Sequence, residues 1–123
     1  MKRRDFCKTV SCAALAATTP ASLRGTSSEA GQITAVQAKV ISQKGSCALG
    51  HKIGDVVEFT ESGVEGKICI HALYSMMPAV FAMLFDAQFP WLEDKDTKTH
   101  ACPDAYNPVV FEISRIRERV NQS

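Results

Sequence analysis

The sequence predicts a small α+β domain of order β-β-α-β, in which one long buried helix packs on a short sheet. Three observations carry that prediction. Thr34–Gln43 alternates Val36, Ala38 and Val40 with Gln37 and Lys39, the period-two pattern of a half-buried strand. Ile68–Phe85 is apolar with few interruptions and reads as the central helix. Val109–Ile113, entered through Asn107-Pro108, reads as the last strand.

Taken in order, Lys44–Asp55 is a loop with Gly45, Gly50 and Gly54, and Val56–Thr60 is the second strand. Gly63 and Gly66 bracket a turn. The helix carries Leu73, Met76, Met77, Val80, Phe81, Leu84 and Phe85. It is apolar nearly all round, which predicts burial on more than one side. Pro78 removes a backbone donor and crowds the preceding turn, so a kink or two short helices are expected there. Phe89-Pro90-Trp91 ends the element, with Trp91 expected as a core or rim anchor. Glu93–Lys98 reads as a charged, solvated loop. The tail from Ser114 either extends the last strand or forms a short helix. The chain shows no internal repeat.

The N-terminus is a targeting segment rather than part of the fold. Arg3 and Arg4 form a twin-arginine pair, followed by Phe6, Lys8 and an alanine-rich run from Val10 to Ala17. This resembles a twin-arginine (Tat) export signal. The run is too short to span a bilayer, which needs about 20 apolar residues. Residues 1–30 are therefore assigned to signal and linker, with cleavage after Ala21 or Ala30, and residues 31–123 to one domain. The protein is expected in the periplasm or elsewhere outside the cytoplasm, with the Tat translocon as its partner in export.

Five of the 14 Lys/Arg and two of the 13 Asp/Glu fall in residues 1–30, which leaves nine against eleven in the domain. No basic stripe remains, so nucleic acid is not an expected partner. Two of the five cysteines, Cys7 and Cys12, lie in the signal. Cys47, Cys69 and Cys102 remain. An odd number allows at most one bridge and points to a metal site, an intermolecular bridge or a reactive thiol. A core this small is marginal and often needs such a staple.

Cys47 and His51 form a Cys-x3-His chelate around the flexible Gly50. Cys69 sits near the start of the helix, where unpaired amides favour a thiolate. Cys102 precedes Pro103 in a stiff loop. Three thiolates and an imidazole are the ligand set of a closed zinc site, and copper(I) or iron also accepts it. His71 and His100 are reserve candidates. There is no C-x2-C pair, which argues against a thioredoxin-type motif and covalent haem. One geometric objection stands. If the first two strands are a simple hairpin, Cys69 emerges at the end opposite Cys47 and His51. Five strand residues span about 17 Å, too far for one metal unless the Lys44–Asp55 loop folds back along the sheet.

Other readings stay open beside this one. Cys69 reads equally as a small buried hydrophobe. Gly50–Asp55 reads equally as a turn entering a strand. Met76, Met77 and Met83 read as core filling. A cysteine nucleophile would need a base, which His51 supplies for Cys47 and His71 for Cys69. No Ser-His-Asp arrangement, phosphate loop or dinucleotide fingerprint is present.

One set of residues carries a family resemblance: Cys47, Gly50-His51-Lys52, Gly54-Asp55, Ile68-Cys69 with Ala72, Pro90-Trp91, Cys102-Pro103-Asp104, and Asn107 through Glu112. Over Lys39–Arg117 the chain resembles a family of short uncharacterised bacterial and archaeal proteins, common in anaerobes. The resemblance implies that all three cysteines are family features. It implies no activity.

The expected function is that of a small exported protein, without enzymatic activity of its own, that binds zinc or iron through Cys47, His51, Cys69 and Cys102 or uses its thiols in redox work. Folding in the cytoplasm, where thiols stay reduced, would let the metal load before export. The alternative is a binding or accessory module of an exported redox complex, stapled by a bridge such as Cys47–Cys102, which would add about 4 kcal/mol. A third reading is a thiol enzyme or redox sensor using Cys69.

Overall fold

The structure, a computed structural model, describes residues 31–118. The twin-arginine segment with Arg3, Arg4 and Phe6 lies outside the described residues. Among those described, one helix, α1 (Ile70–Leu84), packs on a sheet of five strands: β1 (Gln32–Gln43), β2 (Val56–Thr60), β3 (Gly63–Glu65), β4 (Thr97–Ala101) and β5 (Val109–Glu118). The sheet order is β3-β2-β1-β5-β4, antiparallel throughout. The α+β class and the helix-on-sheet packing are those the sequence predicts.

Alternation fixes which side of the sheet is covered. Val36 stands opposite Phe59 on β2 and Arg115 on β5, Ala38 opposite Val57 and Ile113, and Val40 opposite Phe111. All of these are buried. Ala72, Met76, Val80 and Met83 of α1 close the core from above. Burying a side chain such as Phe59, Phe111 or Met76 contributes about 1.5–3 kcal/mol. The methionines at 76 and 83 fill the core as expected.

The structure departs from the sequence expectations at both sheet edges, along the helix and at Trp91. The Gly63–Gly66 turn contains a strand, β3, three exposed residues paired to β2 from Glu58↔Glu65 to Thr60↔Gly63. The end of the charged loop runs into an edge strand, β4, paired to β5 from Thr97↔Ser114 to Ala101↔Val110. Both strands are short and lack an apolar face, so backbone pairing rather than side-chain burial holds them. Of the two forms expected at Pro78, two short helices are excluded, because α1 is a single element that continues through it. The helix is buried on one face only. Ile70, Tyr74, Phe81 and Phe85 point outward and are exposed, and Trp91 is likewise on the surface rather than in the core.

The last strand continues to Glu118, which places Arg115 and Arg117 at the C-terminal end of the helix. Arg115 is buried. Its guanidinium donates to the carbonyls of Met83 (2.9 Å), Lys95 (2.6 Å) and Ala87 (2.5 Å). Arg117 donates to Asp96 at 2.9 and 3.0 Å and to Asp86 at 3.0 Å. Asp96, although partly solvated, therefore anchors the loop to both arginines. The Arg117 guanidinium, ahead of that of Arg115, holds its carboxyl below the usual carboxylate range.

Candidate metal centre

The other end of the domain gathers the candidate ligands. The Lys44–Asp55 loop leaves β1 there, and the Cys102–Pro108 loop enters β5 there. Lys44 N–H donates to the Pro108 carbonyl at 3.1 Å, and Ser46 N–H to Asn107 Oδ1 at 2.9 Å, so the two loops are tied together. Gly45 makes that tie possible. Its φ is 70°, and a Cβ on it would collide with the Asn107 carboxamide.

Cys69 reaches the same end by way of β3. This short strand runs antiparallel to β2 and brings the chain back to where β2 began, with Gly66 against the backbone of Val56 and Val57. The objection that Cys69 lies a strand's length away thus falls for a reason the sequence did not disclose. An extra strand carries the chain home. The end of the loop also returns along β1, where Val40 N–H donates to the Asp55 carbonyl at 2.9 Å and Gly54 N–H to the Val40 carbonyl at 2.8 Å.

Cys47, His51, Cys69 and Cys102 all line one cleft of about 380 Å³, together with His71 and Asp104. The three cysteines are half-buried free thiols that pack against the edge of the core. Cys69 is the N-cap residue of α1. Its side chain makes no capping bond and lies 3.7 Å from His71 Nδ1. Cys102 Sγ accepts the Val109 N–H at 3.2 Å, while the Cys102 N–H donates to the Val109 carbonyl at 2.9 Å.

His51 is 4% exposed, and its ring meets the edge of Phe111 at a centroid distance of 5.6 Å. Its Nδ1 lies 3.5 Å from Asp55 Oδ2. Asp55 is itself fixed, accepting the Lys52 N–H at 2.9 Å while its own N–H donates to the Lys52 carbonyl at 3.0 Å. The Lys52 N–H foremost, then His51, keeps the Asp55 carboxyl below its ordinary range. Among the described residues His51 Nε2 has no hydrogen-bond partner although it is buried. A buried polar atom without a partner costs about 1–3 kcal/mol. A carboxylate on one imidazole nitrogen with the other left free is the arrangement that metal-ligating histidines show.

Three thiols and an imidazole are a donor set whose chemistry suits a thiophilic ion. As the side chains stand, no group of three or more His, Cys, Asp or Glu among the described residues is close enough together to hold one. The two reserve histidines separate. His71 is exposed on the rim, whereas His100 sits on the helix side of β4 and shares a 3.0 Å hydrogen bond with Ser75 Oγ of α1. Asp104 accepts the N–H groups of Asn107 and Tyr106, each at 3.0 Å, which lowers its carboxyl pKa and shapes the Cys102 loop.

Sequence reasoning passed over Asp55 as a turn residue. The His-x3-Asp spacing was the available signal. Comparison with protein-family models, curated proteins and solved structures gave no match to this chain. No helix among the described residues is long and apolar enough to cross a membrane.

Proposed function

We propose that this is a small metal-binding protein whose cleft takes one thiophilic ion, zinc or iron, on the thiolates of Cys47, Cys69 and Cys102 and on His51 Nε2. The observation that carries the reading is the buried, unpartnered Nε2 of a histidine whose Nδ1 lies 3.5 Å from the Asp55 carboxylate, in a cleft lined by three free thiols. The ion would link the β1–β2 loop, the helix start and the β4–β5 loop, and so supply stability that a core this small lacks. On this reading the protein has no enzymatic activity of its own. It is exported by the Tat translocon behind Arg3-Arg4, folded and loaded while its thiols are reduced, and acts outside the cytoplasm beside a redox partner. The family resemblance of the cysteine-bearing motifs belongs to the same reading.

Metal content of the full chain, purified without chelator, tests it together with mass-spectrometric mapping of alkylated thiols. About one equivalent of zinc or iron, with Cys47, Cys69 and Cys102 all reduced, is the expected result. A metal-free protein with one of the three thiols free and the other two bridged overturns it. That result would leave a disulfide-stapled accessory module.

A further inference from the structure

The helix raises a question that the cleft does not answer. Seen along its axis, Ala72, Met76, Val80 and Met83 face the sheet. The opposite side is a second apolar stripe of Ile70, Tyr74, Pro78, Phe81 and Phe85, with Met77 at its edge against the core. Ile70 is 69%, Tyr74 83%, Phe81 55% and Phe85 63% exposed. The helix contains no Asp, Glu, Lys or Arg. A helix apolar all round is normally buried all round.

We propose that this stripe is a dimer interface, formed by two copies of the chain crossing their α1 helices antiparallel about a two-fold axis. Three arguments select a second copy. The first is spacing. A two-fold axis between Met77 and Pro78 sets Ile70 opposite the partner's Phe85 and Tyr74 opposite the partner's Phe81, so large side chains meet large side chains along the whole helix. An isologous contact of this kind requires the patch to complement itself. The second is shape. Beside the ridge of Tyr74, Phe81 and Phe85 runs an apolar groove between α1 and the β2–β3 hairpin, floored by Phe59, Val64 and Leu84. Ridges of one copy seat in the groove of the other, as packed helices do. The third is area. An aromatic side chain carries about 150–250 Å². With the exposures above, the stripe offers roughly 600 Å² per copy, or roughly 1,200 Å² in a dimer, which reaches the lower bound of specific interfaces. The helix stripe carries no charge, so no like charges meet across the axis, and Glu61 is the acidic residue that lines the groove.

Sedimentation velocity on the full chain in reductant, from about 1 to about 100 μM, is the test. A concentration-dependent dimer with a Kd of roughly 1–10 μM is expected. Tyr74→Lys and Phe81→Glu are both exposed positions, so each variant should keep the wild-type circular dichroism and sediment as a monomer, its Kd raised about 100-fold or more. Mixed one to one, they should regain a dimer. The introduced lysine then faces the introduced glutamate across the axis, and the second Tyr–Phe contact is intact. A wild-type chain that stays monomeric over the whole range overturns the proposal. So does a dimer that both variants leave unchanged, or a mixture that associates no better than either variant alone.

Discussion

Replacing Arg115 by methionine should remove about 4 kcal/mol from the stability of this domain, and the arithmetic follows from its partners. Methionine keeps much of the apolar stem that packs beside Val36, so the loss is chiefly the guanidinium. Four contacts go: the carbonyls of Met83, Lys95 and Ala87, and Asp96 Oδ1 at 3.4 Å. Met83 O keeps the Asp86 N–H at 3.3 Å, and Asp96 keeps Arg117. Lys95 O and Ala87 O lose the donor that Arg115 supplied. At about 1–3 kcal/mol for each stranded acceptor the loss is about 2–6 kcal/mol, in line with about 3–5 kcal/mol for breaking a buried charged network from one side. A domain of roughly 90 residues is held by about 4–13 kcal/mol in total, so the variant should sit at the margin of folding. Urea unfolding of both proteins, followed by circular dichroism at 222 nm, roughly the helix band, measures the difference. Arg117→Met is the control. That side chain is 19% exposed and its ion pairs are half in solvent, so a loss of about 1 kcal/mol is expected. A loss below about 1 kcal/mol for Arg115→Met would refute the view that this residue closes the C-terminal end of the helix.

Three further outcomes follow from the geometry. Asp55→Asn keeps the shape but weakens the hold on His51 Nδ1, so zinc affinity in a chelator competition should fall about 10–100-fold, with unfolding of the metal-free protein little changed. Burial foremost, then Lys98, pushes the His100 pKa down from its ordinary 6.5. The unfolded chain therefore binds the proton more readily, and stability present above pH 6.5 is lost as pH falls toward the folded value. Thermal melts at stepped pH should show this decline, and His100→Gln should flatten it. The depressed Asp96 carboxyl adds a second loss below its ordinary 3.8. Gly45→Ala meets both a positive φ and the Asn107 carboxamide. It should cost about 2–3 kcal/mol of stability in urea unfolding and loosen the tie between the two loops that carry Cys47 and Cys102.

Periodicity was enough to read β1, β2, α1 and β5 from the chain, because each has an apolar pattern that matches its own geometry. It could not show β3 or β4. Gly63-Val64-Glu65 is wholly exposed, and Thr97–Ala101 buries no side chain fully, so neither has a pattern to read. Their existence is decided by the neighbours that offer them backbone partners. The same is true of the helix. Its outer stripe is as apolar as its inner one, and composition cannot say which stripe meets the sheet.

The candidate ligands were legible as residue types: three thiols and a histidine at chelate spacing. Their meeting was not. Cys47 and Cys102 lie 55 residues apart in the chain, and Cys69 seemed to be at the wrong end of a hairpin until β3 turned it back. What the amino-acid sequence determined by itself was the local chemistry and the elements whose hydrophobic period is their own. What only the tertiary structure decided was which ends of those elements coincide, because strand pairing is a property of two segments at once and is written in neither alone.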